Sequence, residues 1–157
     1  MRSTSHFERC PPEADAAVRA FLEGRFGLPA SVLAHHTFWH RPGTPTLWLT
    51  TASASAPRGV RVEAMGLPAL RDPLPGGKPT GAFLRRFGHD CRWNICLLSE
   101  DDGDRHLSGQ SVAAPPIDDG RGWCLVRTPT RILGRGFYDD GLVHSQIKKV
   151  FSSELTS

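Results

Sequence analysis

Gly76-Gly77-Lys78-Pro79-Thr80 is the stretch of this chain that comes nearest to a phosphate-binding loop. A loop that hydrolyses nucleotides needs GxxxxGK followed directly by Ser or Thr, so that the hydroxyl reaches Mg²⁺. Here Pro79 moves Thr80 one place along and the first glycine is missing, so that activity is set aside. What survives is a glycine-rich turn leading into a helix start. Such a turn offers backbone N–H groups to a phosphate of any kind, RNA backbone included. Lys78 is placed to assist.

A second stretch, Arg131-Ile132-Leu133-Gly134-Arg135-Gly136-Phe137, sets Arg135 between two glycines that admit close approach of a ligand to the backbone. Lys148 and Lys149 follow the last apolar segment, and Arg85, Arg86 and Arg92 lie on a short helix and its exit. Basic side chains and exposed amides hold phosphates, while rings such as Trp93 or Tyr138 would stack on unpaired bases. The plain alternatives are a core place for Trp93 and a barrel bend at the glycines.

Other chemistries have less to stand on. His35, His36 and His40 form one cluster and His89, Cys91 and Cys96 another, but neither has the paired spacing of a zinc site. Cys96 and Cys124 sit in apolar runs and read as core. There is no G-x-S-x-G elbow for a nucleophilic serine. The expectation is no catalytic residue, no metal, no cofactor and no independent enzymatic activity. A deep pocket lined by His89, Cys91 or the acids at 99–104 would favour an enzyme.

The net charge of +3 is unevenly spread. Residues 58–92 hold seven Arg/Lys against three acids, and residues 121–149 hold six against two. Between them, residues 99–119 hold six acids and one Arg. If the fold joins the two basic blocks, they form one positive face suited to a polyanion. No run approaches the roughly 20 apolar residues of a membrane span. The opening Met1-Arg2-Ser3-Thr4-Ser5-His6 has no apolar stretch behind it, and the four cysteines lack the spacing of a disulfide scaffold. The expected location is the cytoplasm.

The elements that position these residues can be read in order. Pro12 to Phe26 is a helix, with Pro12 suited to its first turn, acids at its start and Ala14, Val18, Phe21 and Leu22 at helical spacing. Gly27 caps it, Pro29 blocks continuation, and Ser31 starts one further turn. Thr37–His40 and Thr46–Thr50 flank a Pro/Gly turn as a hairpin. Ala52–Pro57 reads as a linker. Val60, Val62 and Ala64 alternate as a strand, and 66–77 reads as a turn-rich loop. Thr80 caps a helix over 81–87, stopped by Gly88. Trp93–Leu98 is a short strand, and Ser99 begins a polar turn or short helix that ends at Gly109. Gly122–Arg127, Arg131–Phe137 and Leu142–His144 are strands, with a tight turn at Asp139-Asp140-Gly141. Ile147–Phe151 closes the core. The expected fold is α+β: a helix-plus-hairpin unit over 1–57, then a closed or nearly closed barrel of short strands with short helices over 58–157.

Gly66-Leu67, Lys78-Pro79-Thr80, Phe87-Gly88 and Leu107-Ser108-Gly109-Gln110 together resemble the PUA domain of RNA-modifying enzymes. Gly122–Val126, Leu133-Gly134-Arg135-Gly136, Gly141–Ser145 and Lys148-Lys149 continue the resemblance, which is nearest to the PUA-like tails of Sun-type RNA cytosine-5 methyltransferases. Arg25–Pro29 and Thr37-Phe38-Trp39 resemble the small domain that precedes PUA in some ribosome-biogenesis proteins. The resemblance implies a pseudobarrel that binds structured RNA, rRNA or tRNA, as an accessory module in RNA modification or ribosome biogenesis. A separate RNA-modifying enzyme is then the implied protein partner. It places the RNA-facing surface at Lys78, Thr80, Arg85, Arg86, Arg135, Lys148 and Lys149. The competing expectation is a protein-interaction adaptor that presents Phe38, Trp39 and Trp48. The lesser alternative is an enzyme on a PUA-like barrel.

Overall fold

The computed structural model describes residues 6–56, 63–71 and 77–146. Strand β1 (Glu8–Arg9) leads into helix α1 (Pro12–Phe26). Proline at the start, Glu13 and Asp15 in the first turn and Arg25 in the last suit the helix dipole. Val18, Leu22 and Phe26 form the buried stripe. Gly27 ends the helix in the left-handed conformation (φ 65°), its N–H bonded to the Glu23 carbonyl at 2.8 Å. A 3-10 turn at Ala30–Leu33 then leads to β2 (His36–His40) and β3 (Leu47–Thr51), the expected hairpin. Arg19 fastens α1 to this region, donating to the Leu33 and His36 carbonyls at 2.6 and 2.7 Å.

Strand β4 (Leu67–Leu70) occupies part of the segment expected to be a loop. The run Leu67-Pro68-Ala69-Leu70 is apolar, and it pairs with β3 at the edge of a four-stranded antiparallel sheet, β1-β2-β3-β4. An edge strand tolerates the proline, which has no N–H to give to a ladder. Helix α2 (Gly81–Phe87) follows as expected, with the Thr80 hydroxyl accepting from Phe83 N at 3.0 Å. A 3-10 turn at Gly88–Asp90 leads to β5 (Ile95–Leu97), and Ser99 caps α3 (Glu100–Leu107).

Strands β6 (Val112–Ala113), β7 (Gly122–Arg127), β8 (Ile132–Asp139) and β9 (Leu142–Ser145) complete the second sheet, ordered β5-β7-β8-β9-β6. It is antiparallel except for the β5/β7 pair, and it curls into a half-barrel. The fold is α+β. Asp140 and Gly141, both at positive φ, make the tight β8–β9 turn.

One apolar core joins α1, the hairpin, β4, α2 and β7 through Val18, Phe38, Leu49, Leu70, Phe83 and Leu125. A second lies on the other face of the curled sheet, around Cys96, Cys124, Val126, Tyr138 and Val143. The last carbonyls of α1 are taken by residues from far along the chain. Phe26 O accepts from Arg92 N at 2.7 Å and Trp93 N at 3.1 Å, and Arg25 O from Asn94 Nδ2 at 2.6 Å. The expected division at residues 57 and 58, the alternating Val60 and Val62, and the closing segment 147–151 lie outside the described residues.

Candidate nucleic-acid interface

Alternation along β7 puts Trp123, Leu125 and Arg127 on one face and Cys124 and Val126 on the other. Leu125 enters the first core; Trp123, nearer the strand's start, is half-buried. Its cross-strand partner on β8 is Phe137, and the two rings meet edge to face, centroids 4.8 Å apart. Cations gather on this pair. Lys78 Nζ lies 4.9 Å from the Trp123 ring centroid and the Arg135 guanidinium carbon 5.3 Å. Arg121 lies 5.3 Å from the Phe137 centroid. The negative faces of the rings hold these groups in place. Arg25, from the last turn of α1, donates to the Trp123 carbonyl from Nη2 at 2.8 Å and from Nε at 3.2 Å.

The surrounding backbone fixes the cluster. Arg135 Nη1 donates to the Pro79 carbonyl at 2.8 Å, tying β8 to the turn ahead of α2. Leu70 and Pro79 form a bridge, and Arg71 N bonds to the Lys78 carbonyl at 2.8 Å, so Lys78 is held against β4. The Arg85 guanidinium rests on Gly81 and Gly134. Gly134 has φ of 123°, so the position calls for glycine. Below the sheet, buried His106 hydrogen-bonds to the Arg135 backbone.

Lys78, Arg135, Arg85, Arg25 and Arg121 thus share one surface. Asp119 lies 3.7 Å from Arg25, Asp139 lies 3.4 Å from Arg121, and Lys78 and Arg135 have further contacts of their own. Five cationic side chains thus surround a half-buried aromatic pair, an arrangement that can take phosphate oxygens at its rim and an unpaired base near its centre.

Lys78, Arg85 and Arg135 come together from three separate stretches of the sequence. Arg86 does not join them; it lies over the Phe87 ring, 5.2 Å from its centroid, on the side of His36. Thr80 is buried, and its hydroxyl both accepts from Phe83 N and donates to the Pro68 carbonyl at 2.5 Å, so its work is structural. Lys148 and Lys149 lie outside the described residues. Tyr138 is buried in the second core, which removes it as a stacking ring, whereas Trp93 is 48% exposed. Phe38 and Trp39 are buried and Trp48 is half-buried. Arg25, Arg121, Trp123 and Phe137 were not singled out from the sequence as binding residues. The alternation of Trp123 against buried Cys124 was the one available signal; nothing local joins Arg25 to a strand 98 residues away.

Burial pushes the Cys10 and Cys91 thiols up to about 11, aided by Asp15 and Asp90 respectively. Cys124 is raised by its hydrogen bond with Cys96 and by burial. Cys91 donates weakly to the Phe87 carbonyl rather than facing Cys96. Ser111 Oγ and His144 Nδ1 are 2.7 Å apart at the surface. Among the described residues no three His, Cys, Asp or Glu side chains gather as a metal site, and no helix is long and apolar enough to cross a membrane. The chain matches no protein-family model and no curated protein.

Proposed function

We propose that this chain binds structured RNA, rRNA or tRNA, in the cytoplasm, through the cationic surface around Trp123 and Phe137. In this reading the half-barrel is PUA-like and works as an accessory module in RNA modification or ribosome biogenesis, beside a separate modifying enzyme. The observation that carries it is the convergence of Lys78 and Arg135 on one indole, with Arg25, Arg85 and Arg121 beside them. Such a gathering of cations favours a polyanion, and an aromatic pair among them favours unpaired bases over a uniform duplex.

The test is retention of total tRNA and rRNA fragments on filters at about 50 and 200 mM salt, the range over which phosphate-led binding weakens steeply. Wild type is expected to bind with strong salt dependence. Lys78→Glu combined with Arg135→Glu is expected to abolish binding while the circular-dichroism spectrum is retained. Absence of binding by wild type at low salt overturns the proposal.

A further inference from the structure

At the far end of β7 lies a cleft of about 290 Å³, lined by His89, Leu97, Arg127, Thr130, Arg131 and Ile132 among others. It opens on the same face of β7 as Trp123, four residues and about 13 Å along the strand. Helix α2 lies between them: its N-terminal end meets Gly134, and the Gly88 that follows it packs on Leu125 and Ile132. Its volume is at the lower end for ligand sites.

The walls differ in chemistry. Leu97 stands beside Arg127 in the parallel β5/β7 register and is 51% exposed, an apolar side chain left open on an edge strand. Ile132 continues that wall. Arg131, next to Ile132 in the chain, is already engaged, 2.6 Å from Asp104 and 3.8 Å from Glu100, and Glu100 also accepts from the Thr130 hydroxyl at 2.7 Å. Arg127 is different. It is half-buried, and its guanidinium has neither a carboxylate nor a hydrogen-bond acceptor among the described residues. Its planar fork of donors matches a phosphate. His89 adds a ring nitrogen at the same cleft.

We propose that this cleft holds one unstacked nucleotide, its phosphate on Arg127 and His89 and its base against Leu97 and Ile132. The assignment of that nucleotide to a bound RNA strand rests on the RNA-binding reading; a free mononucleotide has the same chemistry. The strand would run from the Trp123 cluster over the exposed Arg85 face of α2 to the cleft.

The test titrates the full chain with single-stranded oligonucleotides and, separately, with nucleoside monophosphates and inorganic phosphate. It compares wild type, Arg127→Gln, Leu97→Ser and the Lys78→Glu/Arg135→Glu pair. Arg127→Gln is expected to weaken oligonucleotide binding about tenfold and to lower the salt slope by about one. Leu97→Ser is expected to weaken it with the slope unchanged, because it removes base contact and no charge. Leu97 is exposed and the Arg127 side chain has no hydrogen bond to lose among the described residues, so the fold is expected to persist, which circular dichroism verifies. Oligonucleotide binding that responds to the Lys78/Arg135 pair but not to Arg127→Gln or Leu97→Ser overturns the cleft and leaves the RNA reading standing. Monophosphate binding that depends on Arg127, with no oligonucleotide binding at all, supports the cleft as a mononucleotide site and overturns the RNA reading. Phosphate binding equal to monophosphate binding, insensitive to Leu97→Ser, overturns the base wall and with it the nucleotide assignment.

Discussion

Asn94 and Asp119 grip each other from both ends: Asn94 Nδ2 donates to Asp119 Oδ2 at 2.7 Å, and Asp119 N donates to Asn94 Oδ1 at 2.9 Å. Asn94 is fully buried and sits in the left-handed region, φ 55°. Its remaining amide hydrogen goes to the Arg25 carbonyl, its own N–H to Asp118 Oδ1 at 2.7 Å, and its carbonyl accepts from Leu125 N. One residue thus joins the end of α1, the 118–120 turn and β7, and the same Asp119 partners Arg25, which holds Trp123. Asparagine tolerates this conformation better than most residues.

Two substitutions separate the backbone from the side-chain contribution there. Asn94→Ala loses the bonds and keeps the strained φ; Asn94→Gly loses the bonds and relieves the strain. Both are expected to destabilise by about 2–4 kcal/mol, with Ala worse than Gly by about 1 kcal/mol. Urea unfolding of the two proteins measures the difference, and equal midpoints would assign the whole cost to the hydrogen bonds.

Trp123 is expected to contribute through its ring. Trp123→Ala should weaken RNA binding by about 1–3 kcal/mol if one base stacks there, and Trp123→Phe should recover part of that. The Arg25 contact is to the backbone carbonyl and persists in both. Filter retention at fixed salt reads the effect. A salt slope unchanged in Trp123→Phe would separate stacking from charge.

The pH dependence of stability follows from two histidines. Burial lowers the pKa of His106, against the opposing hydrogen bond with the Arg135 backbone, and burial followed by the nearby Arg19 lowers that of His36. In the unfolded chain both protonate near about 6.5. The unfolded state therefore binds more protons as pH falls below that value, so stability is full above it and is lost on acidification. Thermal midpoints are expected to fall between about pH 7 and pH 5, and His106→Gln to flatten that fall. A midpoint that rises on acidification would contradict the sign.

Thiol reactivity should report the fold. Cys10 and Cys91 are held near 11 and Cys124 is raised by its bond to Cys96 and by burial, while the same bond lowers Cys96, which burial shields from reagent. Native protein is expected to react slowly with a disulfide reagent, and all four free cysteines to react quickly in denaturant. Rapid native reaction of more than one cysteine would show that one of the cores opens.

Local signals were sufficient where one residue controls its own neighbourhood. Pro12 and Gly27 bounded α1 and Thr80 opened α2, because capping depends on interactions within a turn, while the segment after Ser99 read equally as a turn or a short helix and is α3. Short runs between turn signals marked β7 and β8, and the tight turn at 139–141 joined β8 to β9. The short strands β1, β4 and β6 were not legible: two to four residues carry too little pattern, and each exists because a partner strand supplies its ladder. Pro68 made β4 read as a loop until its edge position was known.

What the sequence determined by itself was an α+β chain with two basic blocks and Lys78, Arg85 and Arg135 among their members. The tertiary structure decided that these three meet, that Arg25 joins them from α1, that Thr80 and Tyr138 turn inward and that Arg86 goes elsewhere. It also left Arg127 with no acceptor among the described residues, beside an exposed Leu97. Such facts depend on which distant strands share a face, and no neighbour in sequence carries that information, because a ring or a guanidinium finds its partner through space and not along the chain.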